Sequence, residues 1–319
     1  MALFLTEREV VELLPMNECI DVLEEAFAHA GAGQVEIKPR SRIRMPNGFF
    51  HFMAASDAEH KVFGYKAYPS FAGPGGSKFM IMLYDFESGQ LLACIEAGRL
   101  GQIRTGAASG LATKYMAKEN ASTVAVFGSG FQARTQLEAV CVARNITRAK
   151  VFSRRQERRE EFANLMSERL SLEVTAVDSP QDCIADAEVV VTITSARDPV
   201  FEGAGLALGA HVNAAGGNHW QRREVDEDTV TRADVIVVDD VDQAKTECGD
   251  LLWLEARGSF RWDMAHELQE VVGGRVKGRP SAQSITLFES MGVALEDIAA
   301  AQLVYNKAKD QGIGQELPF

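Results

Sequence analysis

Val124-Ala125-Val126-Phe127 runs without a polar residue into Gly128-Ser129-Gly130-Phe131-Gln132-Ala133, and Gln136, Leu137, Ala139 and Val140 then recur at helical spacing. A buried strand, a GxGxxA turn and a helix in that order leave few folds open, because each small residue answers a separate requirement. Gly128 permits the tight turn, Gly130 lets backbone approach a pyrophosphate, and Ala133 allows close helix packing. The phosphates then meet the unpaired N–H groups and positive dipole end of the helix. Further β-rich runs at 150–153, 173–177, 189–193, 211–214 and 235–238 alternate with helical or loop segments. This alternation predicts a parallel sheet with helices on both faces, an α/β fold.

The ribose of a dinucleotide lies near the end of the second such strand, where an acidic residue selects NAD and a basic one tolerates a 2'-phosphate. Ser153-Arg154-Arg155 stands there. Ser153 and Arg154 are therefore candidate cofactor contacts, and Arg154 leans the choice toward NADP, although an arginine on a surface turn also serves simply as a solvated residue.

The first third of the chain has a different texture. Thr6 and Glu9 have capping-box spacing, and Ile20, Leu23, Phe27 and Ala30 carry a second helical pattern. From residue 35 to about 95, short apolar runs are broken by the turn signals Pro46-Asn47-Gly48, Gly73-Pro74-Gly75-Gly76 and Ser88-Gly89, a mixed α+β region. Arg40, Arg42 and Arg44 alternate along an expected strand, which puts them on one face. Such a stripe serves either as a carboxylate clamp or as a charged face toward solvent or a second subunit. Lys66 lies among apolar neighbours, where desolvation would bring its pKa into acid-base range, or else it reaches out from a strand edge. Arg104-Thr105-Gly106-Ala107-Ala108 is expected to begin a small-residue helix. Asn218-His219-Trp220 follows the expected strand at 211–214, at the carboxyl end where open α/β sheets bind ligands. His219, beside a tryptophan, fits a packed structural residue better than a catalytic one. After about Ile285 the pattern through Leu287, Phe288, Met291, Leu295, Ile298, Leu303 and Val304 is expected to be helical.

Charge and cysteine usage narrow the function. Lys and Arg number 33 against 45 Asp and Glu, a formal charge of -12, so a nucleic-acid partner is not expected. The five cysteines are scattered without CxxC spacing, which points to free thiols, and no metal site is expected. The first residues lack the basic start and apolar core of a signal peptide, and no apolar run approaches the roughly 18 to 20 residues of a membrane span, so a cytoplasmic protein without a membrane partner is expected. No hydrolase or phosphoryl-transfer motif with supporting context occurs.

Three ordered motifs, Gly101-Gln102-Ile103-Arg104-Thr105-Gly106-Ala107-Ala108, Gly128-Ser129-Gly130-Phe131-Gln132-Ala133 and Thr286-Leu287-Phe288-Glu289-Ser290-Met291-Gly292-Val293-Ala294-Leu295-Glu296-Asp297, resemble the ornithine cyclodeaminase and mu-crystallin family from about Val35 to Lys307. The resemblance implies a Rossmann-type dinucleotide domain at 119–294. It also implies an α+β dimerisation and substrate domain at 1–118, with the helix at 295–319 folding back onto it, in a homodimer. Carried over by motif, Arg42 and Arg104 match the family's carboxylate-binding arginines and Lys66 its active-site lysine. Thr105 joins the glycine-loop residues as a cofactor contact. Asn218 falls where cyclodeaminases have an aspartate.

That departure bears on the reaction. Asparagine hydrogen-bonds but takes up no proton and supplies no negative charge. The expectation is therefore NAD(P)H-dependent reduction of a 2-imino acid, or reductive amination of a 2-oxo acid, to an L-amino acid. A dicarboxylate such as iminosuccinate is the candidate if Arg40 or Arg44 also faces the substrate. The alternatives are an ornithine or lysine cyclodeaminase and an NADPH-retaining, mu-crystallin-like binding protein.

Overall fold

The computed structural model describes residues 1–71 and 77–318, so the Gly73-Pro74-Gly75-Gly76 turn lies outside the described residues. The chain divides into two compact units, Met1–Arg104 with Val293–Phe319, and Thr105–Gly292.

The first unit is built on one sheet containing β1 (Leu3–Leu5), β2 (Val35–Met45), β3 (Gly48–Asp57), β4 (Val62–Phe71), β5 (Met80–Asp85) and β6 (Leu91–Glu96). Their order is β1-β6-β5-β4-β3-β2, with a closing strand at Gln315–Glu316 outside β1. Strands β2 to β6 pair antiparallel, and β1 runs parallel to β6. Thr6 caps α1 (Glu7–Leu13) in the expected capping box with Glu9. Helix α2 (Met16–Gly31) buries Cys19, Ile20, Leu23 and Phe27, and the closing helix Ala294–Gln311 packs across β2 to β5 and α2. Small residues bring that helix close. A Cβ at Gly64 on β4 would stand 2.9 Å from Ile298 Cδ1 of the closing helix and 2.3 Å from Met82 O.

The second unit contains an eight-stranded sheet in the order β13-β12-β14-β11-β10-β7-β8-β9. Its strands are β7 (Thr123–Phe127), β8 (Arg148–Phe152), β9 (Glu173–Ala176), β10 (Val189–Thr192), β11 (His211–Ala214), β12 (Val235–Val238), β13 (Ala265–Glu267) and β14 (Thr286–Glu289). Every pair is parallel. Alternate residues of β7 feed different cores: Val124 and Val126 pack with Leu137, Val140, Phe162 and Met166, whereas Ala125 and Phe127 pack with Val190, Val212, Ile236 and Leu287. Burial on both faces is why these strands read as continuous apolar runs. The chain goes from β7 outward to β8 and β9 on one side, then returns to β10 on the other, so the β7/β10 boundary is the switch point at which such sheets bind ligands.

Two expectations about elements are corrected. Residues 286–289 form the buried strand β14, not the start of a helix, and helix begins only at Ala294. A short, fully apolar run carries no period that separates strand from helix, and Gly292 at φ 73° breaks the two apart. Arg104 does not begin a helix either: α3 runs over Gly98–Met116 and Arg104 lies inside it. The units divide at Arg104 rather than at residue 118. The part of α3 beyond that point belongs with the second unit, where a Cβ at Gly106 would stand 2.5 Å from Thr135 O of the helix after β7. Among the described residues no helix is long and apolar enough to cross a membrane.

Candidate active site

The loop after β7 holds a geometry that only glycine supports. Gly128 has φ 119°, and a Cβ there would stand 2.5 Å from Ile193 O at the end of β10. Gly130 then caps α4 (Phe131–Ala143) without a side-chain hydrogen bond, so no cap side chain covers the first-turn N–H groups. A Cβ on Gly130 would meet nothing within 4 Å. Open space over a helix N-terminus at the sheet's switch point suits a pyrophosphate. Ala133 is fully buried beneath it, while Phe131 is exposed and Gln132 half-buried.

The end of β8 is tied to this loop, as Ser129 Oγ donates to Ser153 Oγ at 2.9 Å. Of the basic residues that follow, Arg159 is structural: it donates to Ser153 O at 3.1 Å, pairs with Asp178 and lies 5.8 Å over the Phe152 ring. Arg154, Arg155 and Arg158 are exposed. Thr105 O accepts from Gln136 Nε2 of α4 at 3.0 Å. Gly128, Ser129, Gly130, Phe131, Gln132 and Ala133, with Ser153 and Arg154, thus fit a dinucleotide, in a cradle that side chains would fill.

Asn218 lies on the loop leaving β11, exposed, with its backbone bridged to Cys248. Glu224 organises that loop by accepting from Gly216 N at 2.7 Å, Thr194 N at 2.5 Å and Thr192 Oγ1 at 2.9 Å. Asp250 accepts in turn from Glu224 N at 2.8 Å and Val225 N at 3.0 Å. Burial, reinforced by the Glu224 charge, pushes Asp250 up to about 7. His219 stacks on Trp220 with ring centroids 5.8 Å apart.

In the first unit a charged cluster is sealed from water. Lys66 is 3% exposed, Arg104 5% and Arg40 7%, while Glu296 and Asp297 are fully buried. Lys66 Nζ donates to Asp297 Oδ1 at 2.8 Å and lies 2.7 Å from Oδ2. Arg104 Nε donates to the same Oδ1 at 2.8 Å, and its Nη1 pairs with Glu296. Desolvation and then the Arg104 charge pull Lys66 down against Asp297, to about 7. Burial lowers Arg104 too, but Asp297 and Glu296 outweigh it and hold the guanidinium above its ordinary value. Tyr68 lines the lysine, with Nζ 5.9 Å from its ring centroid, and stacks on His51 and Phe79.

The structure brings Lys66 and Arg104 together and seats Arg40 close enough to weigh on Lys66. The arginine stripe is graded rather than uniform: Arg40 is buried, Arg42 half-buried and Arg44 exposed. A register shift between Lys38 and Ser41 falls across Arg40, and such a bulge re-aims a side chain. Arg42 pairs in register with His51 of β3. Glu296 and Asp297 were not singled out as site residues. Their signal is two adjacent acids in the first turn of a helix that continues into the apolar run Ile298 to Ala301.

The model of the Ornithine cyclodeaminase/mu-crystallin family matches residues 1–312. The chain is similar to the Delta(1)-pyrroline-2-carboxylate reductase of Thermococcus litoralis, solved with NADH and L-proline, with 33% identity, 99% of this chain and 100% of that one covered, and a TM-score of 0.94. It is similar to an archaeal alanine dehydrogenase dimer with bound NAD, with 30% identity, 100% and 99% coverage and a TM-score of 0.93. The iminosuccinate reductase of Paracoccus denitrificans in complex with NAD+ is 27% identical, with 100% and 99% coverage and a TM-score of 0.93.

Proposed function

Because the chain belongs to the ornithine cyclodeaminase/mu-crystallin family, we propose that it is an NAD(P)-dependent oxidoreductase that reduces the C=N bond of a 2-imino acid to an L-amino acid. The observation that carries this reading is the sealed Lys66, poised near neutrality between Arg104 and Asp297. Reduction of an imine needs one hydride at carbon and one proton at nitrogen. When bound, the reduced nicotinamide supplies the hydride. Lys66 supplies or relays the proton, and its depressed pKa makes it a usable acid at neutral pH. Asp297 holds Nζ in place and keeps a buried cation compensated.

Arg42 and Arg104 clamp the substrate carboxylate. Two nitrogens of Arg104 are engaged by Glu296 and Asp297, and we assign Nη2 to the substrate. A charge-assisted hydrogen bond from a guanidinium already fixed on two carboxylates loses little rotamer freedom on binding. Asn218 orients the substrate nitrogen without acting as a base, which favours a single hydride transfer over cyclodeamination. The glycine loop with Ser153 and Thr105 holds the dinucleotide, and exposed Arg154 favours NADP.

Arg40 supports a dicarboxylate imine as a second substrate reading, because it is a third buried cation beside Lys66. The working assembly is a homodimer. Ile43 (53% exposed), Phe52 (40%) and Phe71 (51%) present an apolar surface on β2 to β4 of the kind that subunit contact covers.

The test is NADH and NADPH oxidation at ~340 nm, near neutral pH, with cyclic ketimines, iminosuccinate, pyruvate and glyoxylate, each with and without ammonia. Oxidation with preformed imines, or with oxo acids only when ammonia is present, supports the reading. Ammonia release from ornithine without net cofactor oxidation, and no imine turnover, contradicts it.

A further inference from the structure

Outside the charged cluster, the first unit gathers two imidazoles around a single carboxylate. His29 stands in the last turn of α2, Asp57 ends β3, and His60 lies in the turn to β4. His29 Nδ1 is 3.0 Å from Asp57 Oδ2, and His60 Nδ1 is 2.9 Å from the same atom. The imidazoles meet edge to face, with centroids 4.6 Å apart and an interplanar angle of 69°, so both nitrogens converge without the rings stacking. One donor atom from each residue fits within a mutual distance of 4.8 Å.

We propose that His29, Asp57 and His60 bind one divalent transition-metal ion of the zinc class, through both Nδ1 atoms and Asp57 Oδ2. Donors about 2.0–2.2 Å from a tetrahedral ion lie roughly 3.3 Å apart, a small expansion of the two nitrogen–oxygen spacings of 3.0 and 2.9 Å. Two imidazoles and a carboxylate are the ligand types that zinc, nickel and cobalt take.

The surroundings are those of a built site. Asp57 Oδ1 accepts from the backbone N–H groups of Glu59 and His60, both at 3.1 Å, which turns Oδ2 toward the imidazoles. Glu25 Oε2 lies 3.4 Å from His60 Nε2. A carboxylate on the remote nitrogen fixes the ring and leaves Nδ1 as the ligand, the arrangement common around protein-bound metals. Gln302 of the closing helix donates to His60 O at 2.8 Å and anchors the turn. His60 Nδ1 is paired with Asp57 Oδ2 at 2.9 Å, a contact that an ion entering between the two atoms would replace. Asp57 is 2% exposed and the two histidines 24% and 19%, so solvent reaches the ring side and water completes the coordination. Such an ion joins α2, the β3–β4 turn and, through Gln302, the closing helix. It is a staple of the first unit and takes no part in the Lys66 chemistry.

The experiment uses the full, untagged chain, stripped with a chelator and titrated calorimetrically with Zn²⁺ alone, with Co²⁺ absorption as a second readout. Saturable uptake of one ion per chain is expected, together with imidazole-type cobalt bands and a higher melting temperature. His29→Gln and His60→Gln should lose saturable binding. Glu25→Gln, at a residue without a packing role, should weaken affinity by about 10- to 100-fold. Absence of stoichiometric uptake by the folded wild-type chain overturns the site and leaves His29 and His60 as imidazoles held by Asp57. Uptake unchanged in both histidine variants overturns it equally, by placing the ion elsewhere.

Discussion

In the second unit the loop after β7 keeps its working geometry in the backbone, with Gly128 at φ 119° and the N-terminus of α4 uncovered by a cap side chain. In the first unit Lys66, Arg104 and Asp297 keep theirs in charged side chains removed from water. The two regions depend on different energies. A backbone cradle is set by local sterics and tolerates change wherever the dihedral survives. A buried charge cluster is held by mutual compensation, so removing one member leaves the others uncompensated.

Asp297→Asn should give the largest effect. It removes a carboxylate that both Lys66 and Arg104 touch, and a broken buried pair costs about 3–5 kcal/mol. Urea titration of variant and wild type would show it; a loss below 1 kcal/mol would mean that the cluster is not stabilised as a unit. Lys66→Met keeps volume and removes the proton donor. Turnover should fall about 100- to 10,000-fold, with the Kd for NADH unchanged, and a matched loss of NADH binding would erase the division of labour between the regions.

Gly128→Ala strikes the other side of the comparison. Its Cβ meets Ile193 O in a backbone conformation that alanine rarely adopts, a strain of roughly 1–3 kcal/mol. Fluorescence titration should show weaker NADH and NADPH binding to a similar degree. Arg154→Ala carries the smallest expected effect. It should lower the NADPH over NADH preference about tenfold by removing one charge-assisted contact to a 2'-phosphate. An unchanged ratio would make Arg154 merely a solvated residue.

This contrast also decides what could be read from the chain. Gly128-Ser129-Gly130-Phe131-Gln132-Ala133 announced its turn and helix because the constraint is local, and the six apolar runs from 124 to 238 announced their strands for the same reason. Strand β14 was not legible, since Leu287 and Phe288 are buried all round and fit a core helix equally well. Arg104 was legible as a cation, yet its carboxylate partner lies 193 residues away, as Asp297 lies 231 residues from Lys66. The grading from Arg40 to Arg44 depends on a register shift in β2 that strict alternation does not contain. Asp57 and the two histidines showed no ligand spacing, because α2 and the β3–β4 turn meet only in the folded unit.

The most direct test of the account is the pH dependence of kcat/KM for imine reduction at saturating reduced cofactor. The groups that bear on Lys66 are Arg104 from α3, Asp297 from the closing helix and Arg40 from β2, with the Tyr68 ring beside it on β4. Lys66 donates only while protonated, so activity should be full below about 7 and fall as pH rises through it. The inflection should stay in place for two imines of different basicity, because it belongs to the protein. A profile that is flat through neutral pH, or an inflection that moves with the basicity of the imine, would contradict Lys66 as the proton donor.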